Sequence, residues 1–231
     1  MPCPARTLTI SRTVFRTEAG KVAYTFPIEK PVGILSMQGA IEEHEAIFKK
    51  MGVPTLRVKR EKHLEQVSGI VFPGGESTAM IRLLKLSGLI APLKYWISEC
   101  SMPVLATCAG MILLSSGVDN FENQETLDLL NIRVKRNAFG RQIESFEEPL
   151  TIKGFSEAFR AVFIRAPVVT RVGDDIGILA SHEDKIVMIN RGNILAASFH
   201  PELTSDTRIH KLFLQRIERW VDSQNFRAQC S

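Results

Sequence analysis

The middle of the chain carries the run Met102-Pro103-Val104-Leu105-Ala106-Thr107-Cys108-Ala109-Gly110. Its apolar part is short and follows a proline, which predicts a strand buried on both faces of a sheet. Residues 109–114 then favour a helix. We therefore expect Cys108 on a tight turn between strand and helix. Such a turn lies at the carboxyl edge of the sheet, where open α/β sheets bind their ligands.

The alternation of buried strand and helix extends outward from this run in both directions. Before it, short apolar runs bounded by glycine predict strands, and segments with helical spacing of apolar residues follow them. After it, strand-like segments separated by turn residues favour an antiparallel flank. The predicted fold class is α/β, a mostly parallel sheet with helices on both faces and a short antiparallel flank. The predicted strands are 31–37, 69–72, 102–107, 150–152, 161–164, 178–180, 186–189 and 193–199, and the predicted helices are 41–51, 91–100, 109–114, 206–222 and one that begins at Ser77.

The bulk composition is that of one globular domain. The chain has 231 residues, of which 45% are hydrophobic and 23% are charged, and this is enough for a single buried core. The net charge of +4 is scattered, and no basic run is interleaved with aromatic residues, so we expect no nucleic-acid partner. No apolar run reaches the roughly 18 to 20 residues that span a bilayer, so we expect no membrane partner.

The cysteines argue against a metal site and against disulfides. Cys3, Cys100, Cys108 and Cys230 form no C-x-x-C pair and match no histidine cluster, whereas zinc sites and disulfide frameworks show such spacings. We therefore expect no metal, no other cofactor, and a reducing, cytoplasmic compartment.

Residues 1–30 differ from the remainder of the chain. Through Thr17 they carry Arg6, Arg12 and Arg16 and no acidic residue. Two interpretations stay open: an organelle transit peptide, or a flexible or edge-packed extension in which residues 21–26 form a short strand. The expected division is an extension over 1–30, one domain over 31–222 and a short tail over 223–231.

A cysteine nucleophile is the chemistry that the strand–helix turn favours. The helix amino terminus behind Cys108 stabilises a thiolate, and the small residues Ala109 and Gly110 permit a close backbone approach. A nucleophile of this kind needs a base, and the base needs a third group that fixes its ring. His200-Pro201-Glu202 ends another predicted strand, and an extended segment with this spacing projects His200 and Glu202 to one side. Taken singly, a buried inert cysteine and an incidental polar strand end are the alternatives.

A pair of glycines lies between another predicted strand and helix, in Pro73-Gly74-Gly75-Glu76-Ser77-Thr78. Glycines at such a turn let backbone N–H groups point into the crevice, as an oxyanion hole requires. The predicted donors are the N–H groups of Gly75 and Ala109. Glu76 and Ser77 are placed to meet the ammonium and carboxylate of an amino acid. For a Gly-Gly pair alone, a plain tight turn or a phosphate cradle is the alternative.

In their order and spacing these segments resemble a class I (triad) glutamine amidotransferase, and more narrowly the glutaminase subunit of pyridoxal 5′-phosphate synthase. The resemblance covers about residues 33–222 and implies a flavodoxin-like α/β fold. The matching segments are Leu35-Ser36-Met37-Gln38-Gly39, Pro73-Gly74-Gly75-Glu76-Ser77-Thr78, Thr107-Cys108-Ala109-Gly110, Arg136-Asn137-Ala138-Phe139-Gly140-Arg141-Gln142, Phe163-Ile164-Arg165-Ala166-Pro167 and Ser198-Phe199-His200-Pro201-Glu202-Leu203-Thr204.

The resemblance also implies an activity and a partner. The activity is hydrolysis of L-glutamine to L-glutamate through a γ-glutamyl thioester, with Cys108 as nucleophile and His200 and Glu202 as its charge partners. The ammonia passes to a synthase subunit in a hetero-oligomeric complex that makes pyridoxal 5′-phosphate, the vitamin B6 cofactor. The glutamine contacts implied by the matching motifs are Gly75, Glu76, Ser77, Arg136, Ile164 and Arg165.

Elementary chemistry agrees with the two arginines, because a fixed guanidinium suits a carboxylate. Gln38 and Gly39 are expected to face either the glutamine crevice or the synthase, or to end a strand with no further role. Ala138 stands where the family usually has serine, and Asp128 where it usually has glycine. Neither position touches the proposed chemistry.

Two other functions compete with this one. The first is a different triad amidotransferase, or a small-molecule cysteine hydrolase, on the same scaffold. The R-N-x-F-G-R-Q block at 136–142 speaks against it. The second is a non-catalytic scaffold that only binds the synthase, and the intact set of cysteine, histidine and glutamate disfavours it.

Overall fold

The computed structural model describes residues 30–121, 123–139 and 145–229. Several expectations fall outside the described residues. These are the extension over 1–29 with its strand at 21–26, residues 140–142 of the arginine-containing block, and the last two residues of the tail.

Within the described ranges, strands and helices alternate through the first half of the chain, and strands dominate the second half. The strands are β1 (Val32–Leu35), β2 (Thr55–Val58), β3 (Ile70–Phe72), β4 (Val104–Thr107), β5 (Ser115–Val118), β6 (Leu130–Lys135), β7 (Ser145–Leu150), β8 (Phe159–Ile164), β9 (Val168–Val172), β10 (Gly177–His182), β11 (Lys185–Arg191) and β12 (Ile194–Ala197). The helices are α1 (Ile41–Lys50), α2 (Glu61–Leu64), α3 (Ser77–Leu86), α4 (Ile90–Lys94), α5 (Ala109–Leu114) and α6 (Arg208–Gln229), with a π-helical turn at Tyr95–Glu99 and a 3₁₀ turn at Pro201–Leu203.

The centre of the sheet is parallel and has the order β2-β1-β3-β4-β12. Numbered by position among the parallel strands, this is 2-1-3-4-5, the flavodoxin-like order. Beyond β12 the sheet continues through β11, β9, β6 and β5, with β10 paired to β11. The pairings around β11 are antiparallel, and β7 and β8 form a separate antiparallel pair. The predicted α/β class, with a mostly parallel sheet and an antiparallel flank, is confirmed.

Strand β4 shows how the sheet divides the core between its two faces. Val104 and Ala106 pack with α3, α4 and α5 on one face, whereas Leu105 packs with α1 and α6 on the other. All three side chains are fully buried, because a strand in the middle of a doubly covered sheet exposes neither face. This burial fixes the register of β4, and the register fixes where the strand delivers Cys108.

The sequence prediction missed the strands that are not continuous apolar runs. β2 lies at the edge of the sheet, and its residues Thr55 and Arg57 interrupt the apolar pattern because an edge strand is only partly covered. β6 alternates between buried and less buried residues, as a strand covered on one face does. β5, which pairs parallel with β6, and β9, which pairs antiparallel with β6, were also not predicted.

The terminal helix is longer than predicted. α6 begins at Arg208, whose N–H donates to the Asp206 carboxylate (3.0 Å), and it continues to Gln229 through most of the segment expected as a tail. Trp220 still packs on the inner face, and its Nε1–H donates to the carbonyl of Cys100 (2.7 Å). No helix in the described ranges combines the length and the apolar character needed to cross a membrane.

Asp128 adopts a backbone conformation that explains the glycine usual at its position. Its φ is 51°, in the left-handed region that glycine occupies without steric cost. Aspartate is among the few other residues that tolerate this region. Asp128 is therefore compatible with a turn at which glycine is expected.

Candidate active site

Cys108 occupies the turn between β4 and α5 in a conformation that L-residues rarely adopt. Its φ of 46° and ψ of −103° carry a cost of order 1–3 kcal/mol, as is typical of a strained functional turn. Its N–H donates to the carbonyl of Ala197 (2.8 Å), which ties the turn to β12. A Cβ at Gly110 would lie 2.2 Å from the carbonyl oxygen of Phe72, so only glycine lets α5 pack this closely against β3. The predicted strand, turn and helix around Cys108 are all present.

His200 reaches the same edge of the sheet from β12. Its N–H donates to the carbonyl of Val162 (2.8 Å), and its Nδ1–H donates to Oε1 of Glu202 (2.7 Å). The prediction that residues 200–202 are extended is wrong, because Pro201–Leu203 is a 3₁₀ turn. A proline suits the first position of such a turn, where its fixed φ is helical and no N–H is required. The turn, and not the period of a strand, brings Glu202 back onto the imidazole.

The charge state of His200 follows from its two neighbours. Burial of the ring opposes its protonation, but hydrogen bonds to Cys108 and Glu202 outweigh burial and raise the pKa of His200 to about 10. Glu202 is fully buried. Burial opposes its ionisation, yet the hydrogen bond from His200 and the positive charge of that ring lower its pKa. The imidazole therefore holds a proton at neutral pH between the thiol group and a carboxylate, as the base of a cysteine nucleophile does.

The glycine turn packs directly against Thr107 and His200. The N–H of Gly74 donates to Oγ1 of Thr107 (2.9 Å). A Cβ at residue 74 would lie 2.3 Å from Cε1 of His200, so any other residue would displace the ring or the turn. Gly75 follows on the same turn and is exposed at the cleft. An oxyanion donor needs such a position, because its N–H must reach the substrate.

Gln38 and Gly39 hold this turn from the opposite side. The side-chain carbonyl of Gln38 accepts from the N–H of Glu76 (2.7 Å). Gly39 has a φ of 117°, and a Cβ there would lie 1.9 Å from the carbonyl oxygen of Gly74. Gln38 and Gly39 both line the cleft, which is the first of the three arrangements expected for them.

Glu76 and Ser77 make contacts that the sequence analysis did not anticipate. The Glu76 carboxylate caps α3 by accepting from the N–H groups of Thr78 (3.3 Å) and Ala79 (2.8 Å). It also accepts from Nη2 of Arg136 (3.1 Å). Ser77 is buried, and its hydroxyl accepts from the amide of Gln124 (2.8 Å).

Arg136 is held at the mouth of the cleft by three neighbours. Besides the Glu76 carboxylate, its guanidinium donates through Nη1 to Oε1 of Gln124 (2.8 Å). It also lies over the ring of Phe121, 4.7 Å from the ring centroid. A guanidinium oriented in this way is preorganised to bind a carboxylate.

These residues enclose one cleft of about 380 Å³, within the size range of small-molecule sites. Ile164 lies at its wall, with its carbonyl oxygen 3.7 Å from Sγ of Cys108, and Arg165 follows with a φ of 43°. Of the predicted residues, Ala109 and Glu202 lie behind the cleft and the others line it. The lining residues are Gln38, Gly39, Ala40, Glu43, Gly74, Gly75, Glu76, Ser77, Cys108, Ile112, Arg136, Asn137, Ile164, Arg165, His200 and Leu203.

Three supporting residues were missed by the sequence analysis. Thr107 accepts from the glycine turn, Gln124 joins Arg136 to Ser77, and His44 lies near Glu202. Only His44 had a detectable signal, since it interrupts the apolar face of α1. Gln124 lies in a loop without regular pattern, and its contacts depend on the tertiary fold.

Comparison with known proteins agrees with this geometry. Residues 34–219 match the SNO glutamine amidotransferase family. The pyridoxal 5′-phosphate synthase subunit PdxT of Thermosipho africanus (strain TCF52B) is 47% identical over 188 residues, covering 81% of this chain and 99% of that protein. The subunit of the same name from Actinobacillus pleuropneumoniae serotype 5b (strain L20) is 48% identical over 187 residues, covering 81% and 95%.

The fold is also similar to that of a solved structure. A crystal structure of a glutamine amidotransferase superposes with a TM-score of 0.78 at 41% identity, covering 81% of this chain and 98% of the other. The resemblance found in the sequence motifs is confirmed by these matches. The chain belongs to the SNO glutamine amidotransferase family.

Proposed function

We propose that this chain is the glutaminase subunit of a pyridoxal 5′-phosphate synthase, which hydrolyses L-glutamine to L-glutamate and ammonia and supplies the ammonia to the synthase subunit for vitamin B6 biosynthesis. Membership of the family and the names of the two relatives support this assignment. The observation that carries it is that Cys108 and His200 line one cleft at the carboxyl edge of the parallel strands, with His200 hydrogen-bonded to Glu202 (2.7 Å).

The first half of the reaction uses Cys108 as nucleophile. Cys108 acts as the thiolate of a pair with the His200 imidazolium, and its sulfur attacks the side-chain amide carbon of glutamine. The N–H groups of Gly75 and Ala109 donate to the oxyanion that forms, and such donors are each worth about 10²- to 10³-fold in rate. The imidazolium then gives its proton to the departing nitrogen. Ammonia leaves, and a γ-glutamyl thioester remains on the sulfur.

The second half releases glutamate. His200 takes a proton from water, and the resulting hydroxide adds to the thioester carbonyl. Collapse of this intermediate breaks the carbon–sulfur bond and returns the thiolate. Glu202 keeps the same imidazole orientation in both halves because it accepts from Nδ1 throughout.

The substrate contacts assign the two ends of glutamine to different sides of the cleft. The guanidinium groups of Arg136 and Arg165 suit the α-carboxylate. The carbonyl oxygen of Ile164 lies 3.7 Å from Sγ of Cys108, and the backbone of Ile164 and Gly75 suits the side-chain amide. Ser77 and Glu76 are the remaining substrate contacts. The Glu76 carboxylate faces the substrate ammonium and also orients Arg136, whose Nη2 donates to it.

The domain and its location belong to the same proposal. The matched span of 34–219 supports one glutaminase domain after the extension, and α6 carries this domain beyond residue 222 to Gln229. A cytoplasmic location suits a reaction that needs Cys108 as a free thiol, because cytosolic conditions keep thiols reduced.

Ammonia release from glutamine, measured with and without the synthase subunit, tests the proposal. We expect release in the complex and its loss in Cys108→Ala. Full activity of Cys108→Ala would refute the mechanism. A panel of other amides hydrolysed in preference to glutamine would favour a different triad amidotransferase. Failure of a glutamine-mimicking diazo-ketone to alkylate Cys108 in the complex would favour a non-catalytic scaffold.

A further inference from the structure

A polar cluster lies buried behind the catalytic residues, between α1 and α6. His44 and His210 are both fully buried, and Nδ1 of His44 lies 3.3 Å from Nε2 of His210. The other ring nitrogen of His44, Nε2, lies 3.6 Å from Oε2 of Glu202. Buried polar atoms of native proteins are usually paired, so the hydrogen positions in this cluster follow from which pairs can form.

His44 Nε2 faces two parts of the active site at once. Besides the Glu202 carboxylate, it lies 3.3 Å from Oγ1 of Thr107. That hydroxyl oxygen accepts from the N–H of Gly74 (2.9 Å). One nitrogen therefore lies beside both the carboxylate that orients His200 and the residue that anchors the glycine turn.

Burial favours the neutral form of both histidines. Burial lowers the pKa of His44, and burial together with the neighbouring His44 lowers the pKa of His210 to about 3. Each ring therefore carries one N–H, on either Nδ1 or Nε2. Among the residues that the structure describes, neither Glu202 Oε2 nor His210 Nδ1 has a hydrogen-bond partner.

The two tautomers of His44 differ in what they leave unpaired. With its proton on Nδ1, His44 donates to His210 Nε2. The proton of His210 then lies on Nδ1 as an unpaired buried donor. The Nε2 lone pair of His44 faces Glu202 and the Thr107 hydroxyl, from which it can accept. With its proton on Nε2, His44 turns an N–H toward Thr107 and Glu202 and accepts from His210 through Nδ1. Within the pair of rings, only a lone pair of His210 then stays unpaired, and buried unpaired N–H groups are the rarer and costlier case.

We propose that His44 is a positioning residue for the glutaminase reaction, whose Nε2–H donates to the hydroxyl oxygen of Thr107 and faces Oε2 of Glu202. It thereby fixes both the carboxylate behind His200 and the anchor of the Gly74 turn. The inference rests on the proposed function and adds a member to its machinery. His44 itself does not line the cleft, so it acts through these neighbours.

Two substitutions distinguish the effect of losing the Nε2–H group from the effect of losing the imidazole ring. His44→Gln places an amide nitrogen near the position of Nε2, whereas the shorter side chain of His44→Asn reaches only the position of Nδ1. Phe48→Leu is the matched control, because Phe48 lies one turn further along α1 and packs against His210 at 5.3 Å without contacting Glu202.

The readout is the steady-state glutaminase activity of the complex with the synthase subunit. We expect His44→Asn to lower kcat about 10- to 100-fold, equivalent to about 1.4 to 2.7 kcal/mol, with KM within about twofold because the substrate contacts are untouched. His44→Gln should retain most of kcat, and Phe48→Leu should keep it. Equal kcat in His44→Asn and Phe48→Leu would overturn the proposal, and so would equal loss in His44→Gln and His44→Asn.

A measurement on the unsubstituted protein covers the case in which a variant does not fold. ¹⁵N NMR of the histidine-labelled complex should show His44 as the neutral Nε2–H tautomer, and an Nδ1–H tautomer would overturn the proposal. Cys108→Ala in the same kinetic assay distinguishes a failure of the proposed function from a failure of the positioning role of His44. Activity without the thiol refutes the proposed function, whereas loss of activity there with a silent His44→Asn refutes only the positioning role.

Discussion

Gly74→Ala tests whether the glycine turn and the catalytic histidine depend on each other's position. A Cβ at residue 74 would lie 2.3 Å from Cε1 and 2.9 Å from Nδ1 of His200, and 3.4 Å from the Cβ of Cys108. Ordinary carbon contacts begin near about 3.5 Å, so the ring or the turn must move by about 1 Å. Because His200 is wedged between this turn and Glu202, the displacement falls on catalytic geometry.

We expect Gly74→Ala to affect kcat more strongly than the free energy of unfolding. A misplacement of about 1 Å costs about 10²-fold in catalysis, whereas overpacking a buried site costs about 1–3 kcal/mol of the free energy of unfolding. We therefore expect kcat for glutamine, measured as ammonia release in the synthase complex, to fall about 100-fold. Urea denaturation of the isolated subunit measures the stability change separately.

Gly52→Ala is the matched control. Gly52 has a φ of 70° and no atom within 4 Å of a built Cβ, so alanine there is strained but does not clash. It lies between α1 and β2, at the amino edge of the parallel strands, opposite the active site. The strain costs about 1–2 kcal/mol, and kcat should stay unchanged. If Gly74→Ala and Gly52→Ala lose similar stability and both keep full kcat, the packing argument for His200 is refuted.

Two further predictions concern the charge partners. Glu202→Gln removes the carboxylate that helps to raise the pKa of His200, so the imidazolium should lose its proton at lower pH. We expect kcat to fall about 10²- to 10⁴-fold and the alkaline limb of the pH profile to move to lower pH; an unmoved limb would contradict the assignment. Gln124→Ala removes an acceptor from Arg136 and should raise KM for glutamine about fivefold with little change in kcat. A loss confined to kcat would contradict the role of Arg136 in substrate binding.

The central sheet and the catalytic set could be predicted from sequence because each rests on a local pattern. β1, β3, β4 and β12 are short apolar runs buried on both faces, and such runs are visible without knowledge of their neighbours. The glycine turn at 73–78 follows β3, Cys108 follows β4, and His200 follows β12. Their convergence is then a consequence of topology, because the carboxyl ends of parallel strands meet at one edge.

The parts that could not be predicted depend on contacts between distant segments. The 3₁₀ turn after His200 replaced an expected extended segment, since Pro201 is compatible with both. The Glu76 carboxylate was expected to meet substrate, but its own helix and Arg136 compete for it. The partnership of His44 with Glu202 joins residues more than a hundred and fifty positions apart, and no local pattern encodes it.

The most direct test is to trap the acyl group on the nucleophile. The complex with the synthase subunit is mixed with radiolabelled glutamine, quenched in acid during the first turnovers, and digested for peptide mapping. We predict label on the peptide that contains Cys108, released by hydroxylamine and absent from Cys108→Ala. Release of ammonia at the normal rate without label on that peptide would contradict a thioester mechanism.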